Sequence, residues 1–109
     1  MKKEIKTNNA PSPIGPYSQA IETKNTLFIS GQVGLNPNTG KLMIQDIETE
    51  TKQVMENLGA ILKQANLNYH NVVKCSIFIA DMKQFKKINL VYDKYFSQPY
   101  PARETVEVS

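Results

Sequence analysis

The sequence is poor in the residues that build metal sites and disulfides. Among its 109 residues there is one cysteine, Cys75, and one histidine, His70. A lone cysteine cannot form an internal disulfide, and this pair alone is too small a ligand set for zinc. A catalytic Cys–His pair would require the two side chains to meet across a strand, so we reject a triad. We expect Cys75 to be a buried, small apolar side chain.

Long apolar runs are also absent. No stretch approaches the roughly 20 apolar residues of a membrane span, and residues 1–13 lack the apolar core of a secretory signal. The net charge of +3 is modest, and the lysines are dispersed apart from small groups at 2–6 and 83–87. A dedicated nucleic-acid binder carries a denser basic face with interleaved arginine and aromatic residues. We therefore expect a cytoplasmic protein with no membrane contact, and we do not expect nucleic acid to be its main ligand.

The pattern of segments predicts a single α+β domain over residues 1–109, with a mixed sheet and both helices on one face. The predicted elements are a strand at 4–7, a hairpin over 18–33 centred on Asn25, a short strand at 41–44, helices at 47–65 and from Asp81 to about 97, and strands at 71–80 and 102–109. A chain of this length has nothing left to cover the other sheet face. We therefore expect symmetric copies to bury that face against each other.

Helix signals support two of these elements. Between Ile47 and Ala65 the apolar residues follow helical spacing, and Asp46 is placed to cap the helix. Asp81 and Gln84 resemble a capping box that opens the second helix. Its apolar side carries Phe85, Ile88, Tyr92, Tyr95 and Phe96.

Arginine is nearly absent, and this makes Arg103 a candidate functional residue. It is the single arginine among 13 basic residues. A guanidinium offers a planar fork that binds a carboxylate or phosphate bidentately, which lysine cannot do. The alternative is an ordinary surface arginine or a salt bridge to a glutamate. Alternation in the last strand predicts Arg103 and Thr105 on one face, pointing away from the helices, and Val106 and Val108 on the other.

Three further residues are candidates for a binding site. Asn89 interrupts the apolar side of the second helix, so its amide needs a partner, either backbone or ligand. A satisfied structural amide is the alternative. Ser30 and Gly31 end a predicted strand, where glycine lets backbone approach another group closely. A bulge or turn would explain them equally.

Five blocks of sequence, in the same order and spacing, resemble the RidA/YjgF family. They are "IGPYSQA" at 14–20, "ISGQVGLNPNTG" at 29–40, "TKQVMENLGAIL" at 51–62, "FIADMKQFKKINLVYDKYF" at 78–96 and "PARETVEV" at 101–108. The resemblance implies a chorismate-mutase-like α+β fold and a homotrimer with clefts between subunits. It also implies a cofactor-free 2-iminobutanoate/2-iminopropanoate deaminase. Such an enzyme hydrolyses reactive enamines and imines, such as 2-aminoacrylate and 2-iminobutyrate, to 2-keto acids and ammonia.

The resemblance also assigns roles to residues of this chain. Pyridoxal-phosphate-dependent serine and threonine dehydratases would supply the imino acid, whose carboxylate Arg103 would hold. The Thr105 backbone would bind the imino nitrogen. The remaining cleft residues implied by the resemblance are Tyr17, Ser30, Gly31 and Asn89.

Two departures from the family pattern concern the end of the sequence. Glu104 and Thr105 stand where the family usually has serine and then cysteine or another small polar residue. Family members continue into one more strand, with a glutamate thought to position water, and no residue here matches it; Glu107 is not a substitute. We therefore expect residues 1–109 to lack that strand. The alternative function is a non-catalytic trimer that senses small keto acids in the same cleft, while RNA cleavage has no support in basic patches or histidine pairs.

Overall fold

The computed structural model describes all residues, 1–109, and shows an α+β architecture with two helices, as expected. The elements are β1 (Lys2–Ile5), β2 (Ala20–Thr23), β3 (Thr26–Ile29), α1 (Ile47–Gln64), β4 (Lys74–Ile79), α2 (Phe85–Asp93) and β5 (Ala102–Glu107). Hydrogen bonds divide the strands into an antiparallel sheet, β1–β2–β3, and a parallel pair, β4–β5. No helix combines the length and apolarity needed to cross a bilayer.

The first sheet contains the predicted hairpin. In β2 and β3, Ala20 lies opposite Ile29 and Thr23 opposite Thr26, with Lys24 in the turn at φ 53°. The prediction of a strand at 4–7 is shifted by two residues, because Ile5 ends β1 opposite Ala20. Two residues later, the backbone of Thr7 forms hydrogen bonds with the Gln19 side chain instead of with a strand.

The prediction of a short strand at 41–44 is wrong. The only ladder contact there is an isolated bridge between Leu35 and Leu42. The Asn36 side chain accepts hydrogen bonds from the backbone of residues 38 and 39, and Gly40 has φ 73°. This tight turn leaves too little paired backbone to form a strand.

Helix α1 agrees with the prediction at both ends. Its N-cap is Asp46, whose Oδ1 accepts a hydrogen bond from the Thr49 N–H at 2.7 Å, and its C-cap is Ala65. The buried face packs on both sheets. Ile61 lies in a cluster with Ile5, Ala10 and Ala20, and Met55 lies in a second cluster with Tyr92 and Phe96.

Helix α2 is shorter than predicted. Asp81 caps a 3₁₀ turn over Met82–Gln84, where it accepts from the Lys83 N–H, and α2 begins only at Phe85. Gln84 makes no capping hydrogen bond through its side chain, so the predicted capping box is wrong. The predicted apolar side nevertheless faces the core, and Phe96 packs with Tyr92 after the helix has ended.

The parallel pair β4–β5 has one face toward the helices and one exposed face. Cys75 and Ile77 pack against the cluster of Met55, Tyr92 and Phe96. On the opposite face Phe78 lies across from Val106, and their side chains are 66% and 43% exposed. An apolar sheet face is therefore uncovered in the single chain.

Candidate functional site

Arg103 lies against α2, and this corrects its predicted direction. Its Nη1 donates a hydrogen bond to Asn89 Oδ1 at 2.8 Å. Its guanidinium carbon lies 4.9 Å from the centroid of the Tyr92 ring and 5.4 Å from that of Phe85. The prediction that Arg103 points away from the helices is therefore wrong. The cause is the register, which sets Arg103 opposite Cys75 on the inner face of β4–β5.

The positive charge of Arg103 has no carboxylate partner within the chain. The one ion pair of the protein joins Lys74 and Glu104 at 2.8 Å on the outer face. Arg103 is only partly exposed, and a single protein acceptor, the neutral Asn89 amide, takes one of its N–H groups. The remaining donors of the fork are free for an anion, and aromatic rings and the amide hold the guanidinium in place.

A cleft of about 540 Å³ opens beside this guanidinium. Its lining residues are Asn89, Leu90, Tyr92, Asp93, Tyr100, Pro101 and Arg103. The Tyr100 hydroxyl donates to Asp93 Oδ1 at 2.7 Å, and this hydrogen bond raises the pKa of Tyr100. The cleft therefore has a cationic floor at Arg103 and a polar wall that includes a carboxylate.

The Tyr92 hydroxyl is buried, with only 8% of the residue exposed, and its polar neighbour is the Cys75 thiol. Burial raises the pKa of Tyr92, and the neighbouring Cys75 thiol adds to this shift while the Arg103 charge opposes it. The hydroxyl is therefore neutral near pH 7. Sequence reasoning placed Tyr92 in the apolar core. Its position one helical turn after Asn89 is the sequence signal that could have identified Tyr92 as a residue of this cleft.

Thr105 lies two residues after Arg103 in β5, so the two side chains share the inner face of the strand. Ala102 and Val108 donate backbone hydrogen bonds to Val73 and Ile79 of the β4 side. Backbone groups alternate in a parallel ladder, so the N–H and C=O of Thr105 face the free edge of β5. The Thr105 Oγ1 is buried and has no hydrogen-bond partner within the chain.

The remaining predicted site residues lie at the end of the first sheet. Ser30 follows β3, and its Oγ donates to the Ser18 carbonyl at 2.6 Å. Tyr17 is 52% exposed in the preceding loop, and a Cβ built on Gly31 would meet nothing within 4 Å. No hydrogen bond joins these three residues to Arg103 or Asn89. Within one chain only Arg103 and Asn89 of the six predicted residues line the same cleft, so a cleft shared by all six stays a prediction.

A buried amide network fixes the loop that leads to Tyr17. The side chain of Gln19 is 3% exposed, and its Oε1 accepts from the Thr7 N–H at 2.7 Å. Its Nε2 donates to the carbonyls of Thr7, Ala10 and Pro11. Gln19 therefore holds an irregular, proline-containing segment against the sheet, a role that the sequence analysis did not identify.

Comparisons with known proteins agree with this fold. The model of the family described as Endoribonuclease L-PSP matches residues 7–109. A RutC family protein of Pyrococcus horikoshii is 50% identical over 109 residues, which cover 100% of this chain and 86% of that protein. A mouse protein named 2-iminobutanoate/2-iminopropanoate deaminase is 45% identical, with 100% of this chain and 81% of that protein covered.

A solved structure extends the likeness to three dimensions. The crystal structure of E. coli TdcF with bound serine is similar to this chain with a TM-score of 0.92 and 36% identity. The match covers 97% of this chain and 85% of that one. The family model spans nearly the whole sequence, and the relatives match along its length. This chain therefore belongs to the RidA/YjgF family.

Proposed function

We propose that this protein hydrolyses 2-imino acids and their enamine tautomers, such as 2-iminobutyrate and 2-aminoacrylate, to 2-keto acids and ammonia. The observation that carries the proposal is the guanidinium of Arg103. It is partly buried, held by Asn89 and Tyr92, and without a carboxylate partner in the chain. A 2-imino acid supplies the missing carboxylate. The name of the mouse relative supports this substrate class.

The chemistry requires little apparatus beyond positioning. With the carboxylate on Arg103, the adjacent C=N carbon lies at a fixed place in the cleft. Water adds its oxygen to that carbon, protons pass to the nitrogen, the C–N bond breaks, and the products are a 2-keto acid and ammonium. The Thr105 backbone at the free edge of β5 is the candidate partner of the imino nitrogen.

The proposal includes a homotrimer with the site between subunits. In a single chain, the apolar face of Phe78, Val106 and Val108 is exposed. Association that buries this face would remove apolar surface from water. It would also let Tyr17, Ser30 and Gly31 of one subunit meet Arg103 of another, which the single chain does not achieve.

The proposal rests on the Arg103 cleft and not on the RNA cleavage that the family description names. The single histidine, His70, lies in a second cleft of about 310 Å³. That cleft also contains Tyr69, Lys94 and Tyr95, but not Arg103. No observation in the structure pairs His70 with the guanidinium.

A coupled assay tests the proposed function. Threonine dehydratase would generate 2-iminobutyrate, and the formation of 2-ketobutyrate would be followed with and without this protein. We expect the wild type to accelerate its formation, Arg103→Ala to abolish the gain, and Arg103→Lys to restore little of it, because lysine lacks the planar fork. Lys52→Ala, which removes an exposed lysine of α1, is the charge-matched control and should retain the gain.

Binding measurements separate the deaminase from a non-catalytic sensor. Calorimetric titration with 2-ketobutyrate should show binding that depends on Arg103 in either case. Binding together with a wild-type rate equal to that of Arg103→Ala would refute the deaminase and favour a ligand-sensing role. Absence of both binding and acceleration would refute the assignment of the cleft.

A further inference from the structure

Two opposite charges line the Arg103 cleft and do not pair with each other. They are the guanidinium of Arg103 and the carboxylate of Asp93. The one ion pair of the protein joins Lys74 and Glu104, so neither charge of the cleft has an ion-pair partner within the chain. Binding sites are complementary in charge to their ligands. Opposite charges that share a cleft without meeting therefore suit a ligand that carries both a negative and a positive group.

The spacing of the two charges follows from helix α2. Asn89, which accepts the hydrogen bond from Arg103 at 2.8 Å, and Asp93 are four residues apart in this helix. Side chains at that spacing lie on the same helix face, with their Cβ atoms about 5–6 Å apart. The Asp93 side chain therefore lies about one helical turn beyond the point where Asn89 holds the guanidinium. This gap suits a compact ligand whose carboxylate and nitrogen are attached to the same carbon.

The Asp93 carboxylate is held through one oxygen and open at the other. Its Oδ1 accepts a hydrogen bond from the Tyr100 hydroxyl at 2.7 Å, and this hydrogen bond raises the pKa of Tyr100, which keeps the donor protonated. Oδ2 takes part in no hydrogen bond or ion pair within the chain. Asp93 is exposed to solvent, so a ligand in the cleft can reach it. A carboxylate accepts hydrogen bonds at both oxygens, and Oδ2 is therefore available for an N–H group of a ligand.

We propose that Asp93 binds the positively charged nitrogen of the ligand, so that the cleft selects small α-imino and α-amino acids over 2-keto acids. The inference deepens the proposed function and rests on it for the assignment of the Arg103 cleft as the ligand site. A protonated imine carries two N–H groups, so Asp93 can accept one while the Thr105 carbonyl accepts the other. Leu90 and Pro101 add apolar surface to the lining, which suits an aliphatic side chain.

The same arrangement would distinguish the substrate from the product. Hydrolysis converts an iminium group and water to a ketone and ammonium, so the organic ligand loses its positive charge. The keto acid keeps the carboxylate that binds Arg103 but presents no cation to Asp93. Its carboxylate and that of Asp93 repel each other instead, because like charges repel. Two charges of the cleft hold the substrate and one holds the product, which favours product release.

The test compares two ligands that have the same carbon skeleton. Calorimetric titration at neutral pH uses L-2-aminobutyrate, which carries an ammonium group, and 2-ketobutyrate, which does not. Asp93→Asn removes the charge but keeps an oxygen acceptor for Tyr100, and Tyr100→Phe removes the hydrogen bond that holds Asp93. Glu48→Gln, at an exposed glutamate of α1 that does not line the cleft, is the charge-matched control.

We expect Asp93→Asn to bind L-2-aminobutyrate about 5-fold more weakly than the wild type does, since an ion pair accessible to solvent contributes modestly. 2-Ketobutyrate should bind as tightly as before or slightly more tightly, because a negative charge near its carboxylate is gone. Tyr100→Phe should weaken L-2-aminobutyrate binding about 2-fold, and Glu48→Gln should match the wild type. The KM for 2-iminobutyrate should rise in Asp93→Asn. A structural role for Asp93 would instead weaken the binding of both ligands alike.

The outcomes separate this inference from the proposed function. Equal loss of both ligands in Asp93→Asn, or loss of neither, overturns the inference even if the wild type accelerates 2-ketobutyrate formation. A wild type that binds L-2-aminobutyrate through Asp93 but does not accelerate that reaction supports the inference and overturns the proposed hydrolysis. If Asp93→Asn fails to fold by circular dichroism, Tyr100→Phe decides the question through the ratio of the two affinities.

Discussion

Arg103 donates from Nη1 to Asn89 Oδ1 at 2.8 Å, so a helix amide orients the single arginine of the protein. The amide fixes the plane of the guanidinium without neutralising its charge. A carboxylate at position 89 would occupy the fork that an anionic ligand needs. The neutral partner therefore leaves Arg103 oriented and available for binding.

Variants of Asn89 should show separately how the orientation of the Arg103 guanidinium and the neutralisation of its charge affect ligand binding. Asn89→Leu removes the hydrogen bond, and we expect 2-ketobutyrate to bind about 10-fold more weakly. Asn89→Asp places a carboxylate at the same point. We expect 2-ketobutyrate to bind this variant more weakly still, because the new ion pair between residue 89 and Arg103 competes with the ligand. Calorimetric titration measures both, with Asn38→Ala in the exposed 36–40 turn as control. Tighter binding by Asn89→Asp than by Asn89→Leu would contradict this account.

A charge on the exposed sheet face should prevent self-association. Phe78 is 66% exposed and lies opposite Val106, so Phe78→Glu would place a carboxylate in the proposed interface. We expect sedimentation analysis to show a trimer for the wild type and smaller species for the variant. Deaminase activity should fall in parallel, because the proposed site draws on two subunits. Lys52→Glu on α1 is the control. A wild-type monomer would remove the basis for a shared cleft.

The buried amide of Asn57 should be essential for stability. Asn57 is 0% exposed, and its Nδ2 donates to the carbonyls of Val33 and Leu35 at 3.1 and 2.9 Å. Asn57→Leu would leave the Leu35 carbonyl unpaired, whereas the Val33 carbonyl keeps its hydrogen bond from the Leu35 N–H. We expect the free energy of unfolding to fall by about 1–3 kcal/mol. Urea unfolding at fixed protein concentration measures the change, because self-association adds to apparent stability. Equal midpoints for this variant and the exposed Asn38→Ala would refute the expectation.

The Asp46 cap predicts a stability change at acidic pH. Hydrogen bonds from the backbone and side chain of Thr49 lower the pKa of Asp46 below its ordinary value of 3.8. A lowered pKa in the folded state stabilises the protein above the unfolded pKa, and this contribution is lost as pH falls through the folded pKa. Asp46→Asn keeps an oxygen acceptor but does not titrate.

The difference between wild type and Asp46→Asn should therefore depend on pH. We expect the wild type to lose thermal stability relative to the variant as pH is lowered from 6 to below about 4. Unfolding scans at a series of pH values measure the difference in Tm. A difference that is constant over this range would show that the charge of Asp46 does not contribute.

Local patterns determined much of the fold from the sequence. The helical spacing from Ile47 onward and the acceptor at Asp46 predicted α1 with both ends, because these signals act within one or two helical turns. The need of Asn89 for a partner was also predictable, since an unpaired buried amide is costly.

Only the tertiary structure decided which partner Asn89 has and which way Arg103 points. Both faces of β4–β5 carry apolar side chains, Cys75 and Ile77 on one and Phe78 and Val106 on the other, so hydrophobicity alone could not tell which face meets the helices. The cross-strand register and the packing of α2 set Arg103 beside Asn89 and Tyr92. The sequence by itself identified the single arginine and the amide as candidates. Their contact depends on long-range packing that no local pattern encodes.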